Sequence, residues 1–433
     1  MSGESGLRRQ LPAGVFDSGF ASLATFAVGL AAVNLFDDLD RGVYAVFFTA
    51  FVAGSLLSSE FVFTPSEVAA VGYPEDQRIS LVWRTLALGL GPCLLGSAAS
   101  LVAVLATSGY ASPDVAFALA VTSAMAIVIS PMQDHVRKML HIASESWSAA
   151  AVSFVQVAVA VTAVLVGIAL STPVQWLPFG ALAVANVVSL LVGLGLVRIR
   201  TTRLAESPLL FMPLARRGVW FVLNAAAPAL SGFAAAALVA WLASPEDLGY
   251  AESARVVAQP IFVVGVGLKA VLHPRSIRAA MDVKRSDARR TNRLFVVVMV
   301  AITVAYLALV GWDWTLNPMA YIVPSAYILG GLVALTIVAN AANSMWFLLT
   351  SELAGARRER SLAGISWIAS TVSVLLAATA GVTGAYARAL GSLVSAIVRY
   401  GMQRRSLDAY YEGHRSPRDL DVQGGAPTRD DRR

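Results

Sequence analysis

The 433-residue sequence has one cysteine, Cys93, and few charged residues. A single cysteine excludes an intramolecular disulfide and a cysteine-based metal cluster. Charged residues make up 14% of the chain, whereas soluble proteins carry about 25%. Hydrophobic residues make up 57%, and the mean hydropathy is +0.67. One water-soluble core of this size cannot bury so much apolar surface, so the composition predicts an integral membrane protein.

Sequence motifs that mark common classes of enzyme are also missing. The sequence contains no phosphate-binding loop, no His-Glu-x-x-His motif and no glycine-rich dinucleotide fingerprint. Its four histidines are scattered, and its basic residues form short clusters between apolar runs rather than a nucleic-acid-binding domain. We therefore predict that the protein is not an enzyme, needs no cofactor or metal and binds no nucleic acid.

Mostly apolar runs recur along the chain, each close to the roughly 20 residues that a helix needs to cross a bilayer. The run at 321–349 is long enough to be tilted or broken, and the split between the last two runs is the least distinct. The chain from residue 403 is polar and rich in Arg, Asp, Gly and Pro, which predicts a disordered tail. We predict an all-α membrane protein of about twelve transmembrane helices, at 13–36, 43–63, 81–106, 115–133, 147–170, 175–197, 218–242, 249–272, 294–312, 321–349, 362–382 and 386–402.

The charges between the runs alternate in sign and predict the orientation. If the N-terminus is cytoplasmic, 29 of the 33 Lys and Arg residues lie in cytoplasmic segments, and the opposite turns carry mostly acids. Cytoplasmic loops of membrane proteins are enriched in Lys and Arg, so we predict that both termini are cytoplasmic. The chain has only three lysines among these 33 residues. That excess of arginine is typical of GC-rich coding, and we expect a bacterial plasma membrane.

Two segments read alike at a distance of 207 residues. In each, an acidic turn is followed by Gly and Tyr at the start of the next helix, at Gly42 and Tyr44 and again at Gly249 and Tyr250. Six helices per half is an even number, so the halves would be parallel repeats around a central cavity, as in carriers that work by alternating access. We predict a six-helix half at 1–200, a second at 201–402 and the tail at 403–433.

Short motifs near the N-terminus and at the end of the fourth run carry a family resemblance. They are Phe16-Asp17-Ser18, Ser22, Thr25-Phe26, Gly42-Val43-Tyr44 and Gln133-Asp134-His135-Val136-Arg137-Lys138. Together with the two-by-six organisation they resemble the O-antigen and polysaccharide flippases of the multidrug/oligosaccharidyl-lipid/polysaccharide (MOP) exporter superfamily. Thr25 stands where these flippases usually have Asn. The resemblance implies a transporter that moves a lipid-linked glycan, typically on a polyprenyl diphosphate, to the outer leaflet.

Four cations remain once the 29 Lys and Arg residues of the predicted cytoplasmic segments are set aside. They are Arg41, Arg255, Lys269 and Arg388. Ionisable groups within a bilayer are costly and usually face a cavity or a partner, and a lipid diphosphate needs cationic partners. We predict substrate-binding roles for Arg255, Lys269 and Arg388. Arg388 could instead extend outward to the membrane surface. Arg41 lies in an acidic turn, where a local salt bridge is the better interpretation.

The eighth run concentrates polar groups on one predicted stripe. Arg255 lies near Glu252 and Gln259 at helical spacing, and Lys269 follows within about 40° of the same face. Pro260 should kink the helix and free a carbonyl group. We include Gln259 among the substrate-binding residues. In the alternative interpretation Glu252 and Arg255 neutralise each other, and Lys269 extends to the membrane surface.

The first half offers acidic candidates. Asp17 is predicted in the first turns of helix one, where it could contact substrate, couple transport to a cation, or stabilise the helix dipole. Asp134 and Arg137 are one helical turn apart and are predicted to form a gate or structural pair, as is Glu252. Glu60, near the cytoplasmic end of its run, is placed in the same class, with Arg84 as the expected partner.

These observations favour a MOP-type flippase that functions as a monomer, with a lipid-linked glycan as substrate, membrane lipids around it and a coupling cation such as Na⁺ or H⁺. A cation-coupled multidrug antiporter of the same superfamily is the alternative. That class would need an acidic, aromatic cavity, and the charges left within the bilayer here are at least as cationic as acidic. A membrane-embedded glycan polymerase or glycosyltransferase is less favoured because the exterior turns are short.

Overall fold

The structure is a computed structural model that describes residues 2–109, 111–201, 203–205, 209–312, 314–321 and 331–414. For residues 2–9, 33, 38, 41, 42, 245, 320 and 321 it describes the backbone alone. The described part of the chain is almost entirely helical and contains no strand. Its long helices are α1 Ser2–Leu35, α2 Asp38–Ser58, α3 Leu81–Thr107, α4 Pro113–Ile142, α5 Ser146–Ala169, α6 Leu177–Arg200, α7 Phe211–Leu242, α8 Pro245–Met281, α9 Arg285–Val310, α10 Leu332–Met345, α11 Glu359–Ala377 and α12 Tyr386–Gly413.

These helices confirm the predicted all-α membrane fold. In the described part of the chain, eleven helices are long and apolar enough to cross a membrane, and they coincide with the first eleven predicted runs. The twelfth, α12, has 28 residues and extends about 42 Å at 1.5 Å per residue. Its several arginines lower its hydropathy. Side chains cap three helix starts on one side of the molecule, where Asp37, Ser112 and Ser244 accept bonds from backbone N–H groups of α2, α4 and α8.

The helical segments that begin with α2 and α8 continue beyond the predicted run ends at residues 63 and 272. In α2 a π-helical turn, Ser59–Phe63, leads into a further helix, Thr64–Ala70, with Pro65 in its first turn. Proline is tolerated there because the N–H groups of a first turn need no partner within the helix. Helix α8 runs through Pro274 to Met281. Both extensions lengthen the contact between the two halves.

The end of the chain departs from the predicted tail. Helix α12 continues to Gly413, and Gln403, Leu407, Tyr410 and Tyr411 are buried. The prediction of disorder from residue 403 is therefore wrong for residues 403–413, because apolar and aromatic side chains recur at helical spacing among the charges. The rest of the predicted tail, 415–433, lies outside the described residues.

Two other uncertain boundaries are settled by the structure. The long tenth run is broken, because α10 ends at Met345, and after a turn at Trp346 the chain continues as a helix, Phe347–Gly355. Residues 322–330 of that run lie outside the described residues. Helices α11 and α12 are separate, joined by a turn in which Gly384 adopts a φ of +55°.

The helices form two six-helix bundles with equivalent packing. In the first bundle α1 packs on α5, α2 on α3 and α4, and α6 on α4 and α5. In the second, α7 packs on α11, α8 on α9 and α10, and α12 on α10 and α11. Each pair in one half has its counterpart six helices later, as expected for parallel repeats. The domain boundary at 200/201 stays a prediction.

The halves meet through two equivalent crossings. Gly14 of α1 faces Gly267 of α8, and Gly218 of α7 faces the carbonyl group of Phe61 in the π-helical turn after α2. Gly218 lies 204 residues after Gly14, and Gly267 lies 206 residues after Phe61, which matches the repeat distance. The backbones are so close that a Cβ atom at any of these three glycines would overlap the opposite chain.

These crossings lie on the side of the molecule where α1 begins, which we call the basic side. One apolar cluster there contains residues of both halves, including Val68, Val71, Ile277 and Leu353. On the opposite side, which we call the acidic side, the apolar clusters of the two halves are separate. The described conformation is therefore joined on the basic side.

Arginine side chains on the basic side donate to backbone carbonyls, and one of these bonds joins the two halves. Arg278 of the second half donates to the carbonyl oxygen of Val71 at 3.0 Å. Arg78 donates to the carbonyl oxygens of Tyr73, at 3.0 Å, and Ile142, at 2.9 Å. Burial, with a smaller effect of the nearby Arg278 charge, lowers the pKa of Arg78 to about 10. Arg78 therefore remains cationic at neutral pH.

Candidate substrate cavity and charge networks

A cavity of about 350 Å³ lies inside the second half. Side chains of α7, α8, α10, α11 and α12 line it, and every lining residue belongs to that half. This volume is within the usual range of ligand pockets. Helix α12 contributes a polar stripe, because residues three, four and eleven apart lie on nearly the same helical face. The stripe consists of Arg388, Ser392, Ser395 and Arg399.

Two of the predicted substrate-binding residues meet at this cavity. Arg255 of α8 and Arg388 of α12 both line it, and both bind the carboxylate of Glu252. The Nε atom of Arg255 lies 2.6 Å from Oε2 of Glu252, and Nη1 of Arg388 donates to Oε1. The expected pairing of Glu252 with Arg255 is present, but two cations share one anion. The group carries a net charge of +1.

Polar side chains of α9 and α10 hold α8 and α12 beside the cavity. Asn340 donates to the carbonyl oxygen of Ala258 at 3.0 Å, and Tyr306 of α9 donates to that of Val257 at 2.6 Å. These carbonyl groups are in the turn before Pro260, where the proline interrupts the helical hydrogen bonds. Asn343 donates to Ser392 at 2.6 Å and connects α10 to the polar stripe of α12.

Arg399 is the third arginine of the cavity lining, and the sequence analysis missed it. Its residue surface is 4% exposed, Nη2 donates to the hydroxyl of Ser366 at 2.8 Å, and the guanidinium lies 4.3 Å from the ring centroid of Trp346. It is one of the 29 Lys and Arg residues assigned to cytoplasmic segments, because it lies at the end of the last apolar run. The signal that could have found it is its spacing of eleven residues from Arg388.

The other predicted substrate-binding residues lie elsewhere. Gln259 is exposed and does not line the cavity, although it is one turn from Arg255. Lys269 lies farther along α8 toward the basic side, and its Nζ atom is 5.4 Å from the ring centroid of Phe347. The predicted stripe of α8 is thus divided between two sites. The side chain of Arg41 lies outside the described side chains.

Asp17 belongs to a buried network in the first half. Its carboxylate accepts a bond from Ser153 at 2.5 Å, lies 3.0 Å from Nε2 of His141 and is 3.6 Å from Nε of Arg137. Because α1 begins at Ser2, Asp17 is about four turns into the helix. The interpretation as a helix-dipole residue is therefore wrong. The network instead connects α1 to α4 and α5.

Arg137 forms the predicted pair with Asp134. Its Nη2 atom lies 2.6 Å from Oδ1 of Asp134, and Lys138 lies 2.8 Å from the other carboxylate oxygen. Arg137 therefore has two acidic neighbours, one on its own helix and Asp17 on α1. Removing it would leave buried negative charge with fewer partners.

A charge cluster joins the two halves on the basic side. Lys269 of the second half interacts electrostatically with four charged side chains of the first half, Glu60, Glu67, Asp134 and Lys138. Glu60 does not pair with Arg84 as expected, because Arg84 donates to the carbonyl oxygen of Leu209.

Glu67 and two histidines extend this cluster. Nδ1 of His135 lies 2.9 Å from Glu67, and its Nε2 lies 2.7 Å from the hydroxyl of Thr85. On the other half His273, one turn after Lys269, bonds to Ser351 at 2.7 Å. The gate role predicted for Glu60 stays a prediction. Within the described residues no group of three or more His, Cys, Asp or Glu side chains is placed to hold a metal ion.

A set of neutral amide side chains connects three helices of the first half, whereas three arginines line the cavity of the second half. Gln156 donates to Asn186 at 2.6 Å, Asn186 donates to Ser130 at 2.5 Å, and Gln133 donates to Gln156 at 3.4 Å. These amides satisfy one another across α4, α5 and α6. The two halves share a fold but differ in charge.

Solved structures share this fold along nearly the whole chain. A MOP superfamily transporter from Pyrococcus furiosus, for which a reversed polarity of the binding pocket suggests a different function, aligns with a TM-score of 0.74 at 14% identity over 94% of this chain and 96% of its own. A MATE transporter in complex with MaL6 aligns with a TM-score of 0.76 at 12% identity over 94% and 97%. An outward-facing multidrug resistance MATE family transporter of the MOP superfamily aligns with a TM-score of 0.70 at 14% identity over 94% and 96%.

At these identities the likeness establishes the fold, and the predicted two-by-six architecture is confirmed. No protein-family model matches the sequence, and no curated protein matches it.

Proposed function

We propose that the protein is a transporter that moves an anionic lipid-linked glycan, carried on a polyprenyl diphosphate, between the leaflets of a bacterial plasma membrane. The observation that carries this proposal is the cavity of the second half, which three arginines line and one carboxylate partly neutralises. Arginine binds phosphate oxygens by paired, charge-assisted hydrogen bonds. An excess of cations at membrane depth therefore suits a diphosphate better than a cationic drug.

Alternating access gives the route. Both termini are cytoplasmic in this proposal, because the basic side has the excess of Lys and Arg. The described conformation, joined on the basic side, is then open to the outside. In the opposite conformation the Gly14–Gly267 and Gly218–Phe61 crossings separate, and the charge cluster around Lys269 loses its contacts between the halves. The head group crosses between the bundles while the lipid tail stays in the bilayer.

A cation-coupled multidrug antiporter is the second candidate. The similarity of the fold to that of an outward-facing multidrug resistance MATE transporter favours it. The charge of the cavity opposes it, since an organic cation would meet Arg255, Arg388 and Arg399. Drug susceptibility of a deletion strain separates the candidates, because a flippase mutant loses surface glycan whereas an antiporter mutant becomes sensitive to cationic drugs. In either candidate the protein works as a monomer with Na⁺ or H⁺ as the coupling cation.

We predict that Arg255→Ala abolishes glycan export at normal membrane abundance. The substitution removes one of the two cations that share Glu252, so the group changes from a net charge of +1 to zero. Export is measured as surface glycan, together with accumulation of the lipid-linked precursor, in a deletion strain that carries the variant. Arg289→Ala is the matched control, since Arg289 is exposed on the basic side away from the cavity. Full export by the Arg255 variant contradicts the assignment.

A further inference from the structure

Arg399 and Trp346 lie against each other at the end of the cavity nearest the basic side. Both line the cavity, and each has a buried N–H group, Nε of Arg399 and Nε1 of Trp346, with no hydrogen-bond partner among the described residues. Buried donors are nearly always paired in folded proteins. Two orphaned donors on stacked side chains therefore indicate a missing acceptor.

The charge of Arg399 is uncompensated as well. Arg255 and Arg388 share Glu252, but the groups around Arg399 are neutral, namely the hydroxyl of Ser366 and the ring of Trp346. The amide of Gln403, one turn further along α12, has a buried oxygen without a donor. A small rotation could bring it to Arg399, but a neutral amide cannot balance the charge. A buried cation without a counter-ion is strongly unfavourable, and an anionic ligand would remove that cost.

We propose that Arg399 and Trp346 form an oxyanion subsite that takes a phosphate group, separate from the Glu252–Arg255–Arg388 group. The planar guanidinium, held in place by the indole ring, offers its donors in a fixed geometry that suits tetrahedral phosphate oxygens. The indole N–H adds a neutral donor. Only the identity of the bound phosphate rests on the proposed function. It would be one phosphate of the lipid diphosphate, and the Glu252–Arg255–Arg388 group would bind the second phosphate.

The break between α10 and the helix that follows it supports this assignment. Trp346 occupies the turn between Leu332–Met345 and Phe347–Gly355. This turn interrupts the helix at the level of Arg399 and leaves the indole against the guanidinium. A break at membrane depth is tolerated where it lines a cavity, so the irregular backbone and the orphaned donors mark the same place.

The experiment measures ligand-dependent thermal stability of the full-length protein in detergent. Cys93 is the only cysteine and is buried, so a thiol-reactive dye reports unfolding. The probes are farnesyl diphosphate, pyrophosphate, inorganic phosphate and uncharged farnesol. The variants are Arg399→Gln, Arg399→Lys and Trp346→Phe, with Arg289→Ala as control. Loss of one charge-assisted contact is expected to weaken binding of farnesyl diphosphate by about 10- to 100-fold in Arg399→Gln.

The unliganded proteins provide a second readout. If the charge of Arg399 serves a ligand, Arg399→Gln unfolds at the same or a higher temperature without ligand, because an uncompensated buried cation is gone. Arg399→Lys keeps the charge but not the planar geometry, so it binds with intermediate affinity. Trp346→Phe keeps an aromatic ring but loses the N–H group and part of the ring surface, and its affinity falls less than that of Arg399→Gln.

Several outcomes overturn the subsite. Unchanged binding by Arg399→Gln would do so while leaving the proposed function intact, since Arg255 and Arg388 could still hold the diphosphate. A lower midpoint for unliganded Arg399→Gln would give the arginine a structural role instead. Equal stabilisation by farnesol, or no stabilisation by any anion, would also overturn the subsite, and the proposed function is then judged by transport alone. Stabilisation by phosphate or pyrophosphate but not by farnesyl diphosphate would support the subsite and contradict the lipid substrate.

Discussion

Gly218→Ala is expected to open the basic side of the protein. A Cβ atom at Gly218 would overlap the carbonyl oxygen of Phe61, and also approach Cα of Phe61 to 2.9 Å. Backbone cannot move aside as a side chain can, and overpacking of this kind typically costs about 1–3 kcal/mol. Because the crossing exists only when the halves are joined on the basic side, that cost shifts the conformational equilibrium by about 5- to 150-fold toward the opposite conformation.

The shift can be measured by electron–electron double resonance. Spin labels at Glu75 and Ser286, both exposed on the basic side, should move apart in Gly218→Ala, in a background where Cys93 is replaced by alanine. A second pair at Ser108 and Ala378, exposed on the acidic side, should move closer. Gly401→Ala is the matched control, since that helical glycine faces open space. Identical distance distributions for the two alanine variants would show that the crossing does not limit the conformation.

Arg137→Ala is expected to destabilise the first half by about 3–5 kcal/mol, the usual cost of removing one partner from a buried ion pair. Asp17 loses its cationic neighbour at 3.6 Å, and Asp134 keeps only Lys138. Asp17 is buried, whereas the side chain of Asp134 is 33% exposed, so most of the cost comes from the charge left at Asp17. The variant should unfold at a clearly lower temperature in the thiol-dye assay at Cys93.

A double substitution tests the cause of this loss. Asp17→Asn in the Arg137→Ala background removes the unbalanced carboxylate, so it should restore part of the stability, and the double-mutant cycle should give a coupling of about 0.5–3 kcal/mol. Arg137→Lys keeps the charge and should lose less stability than Arg137→Ala. Simple additivity of the two single substitutions would mean that Asp17 and Arg137 do not interact, and the network would then be structural packing alone.

The fold could be predicted largely because hydropathy and loop charge are properties of the sequence itself. Each apolar run became a helix, since a chain in lipid must pair its backbone groups within the helix. The repeat at Gly42 and Gly249 also predicted the arrangement, because equivalent sequence signals recur at equivalent turns. The predicted runs 43–63 and 249–272 stop short of Pro65 and Pro274, whereas the chain stays helical through both, since a π-helical turn and neighbouring helices compensate for the bonds that proline removes.

The site was only half predictable. Arg255 and Arg388 were found by subtracting the loop charges, and the structure brings them to one carboxylate. The same subtraction removed Arg399, because a cation at the end of an apolar run is assigned to the cytoplasmic loop. Its place in the site becomes visible only when its helical face is compared with that of Arg388. The separation of Lys269 from Arg255 depends on how α8 packs against two different bundles. Spacing along one helix contains no information about its neighbours.

The asymmetry between the halves has a physical consequence for transport. Amides that bond to one another connect α4, α5 and α6 of the first half, whereas the second half has a cavity lined by three arginines. An anionic head group would therefore stay with the second half while the first half moves relative to it. In the proposed orientation the charge cluster of Glu60, Glu67, Lys138 and Lys269 would lie at the cytoplasmic side, and water would replace its contacts between the halves when that side opens.

The most direct test of the central claim is translocation in proteoliposomes. The probe is an isoprenyl diphosphate linked to N-acetylglucosamine, with a fluorophore on the lipid tail, and an impermeant quencher reports the leaflet. We expect the purified protein to make the inner-leaflet probe accessible, to leave the uncharged isoprenol form in place, and to lose at least about tenfold in rate when Arg255 and Arg388 are both replaced by alanine, since each lost charge-assisted contact contributes about 1.5–3 kcal/mol. Unchanged rates in that variant, or movement of ethidium but not of the diphosphate, would contradict the account.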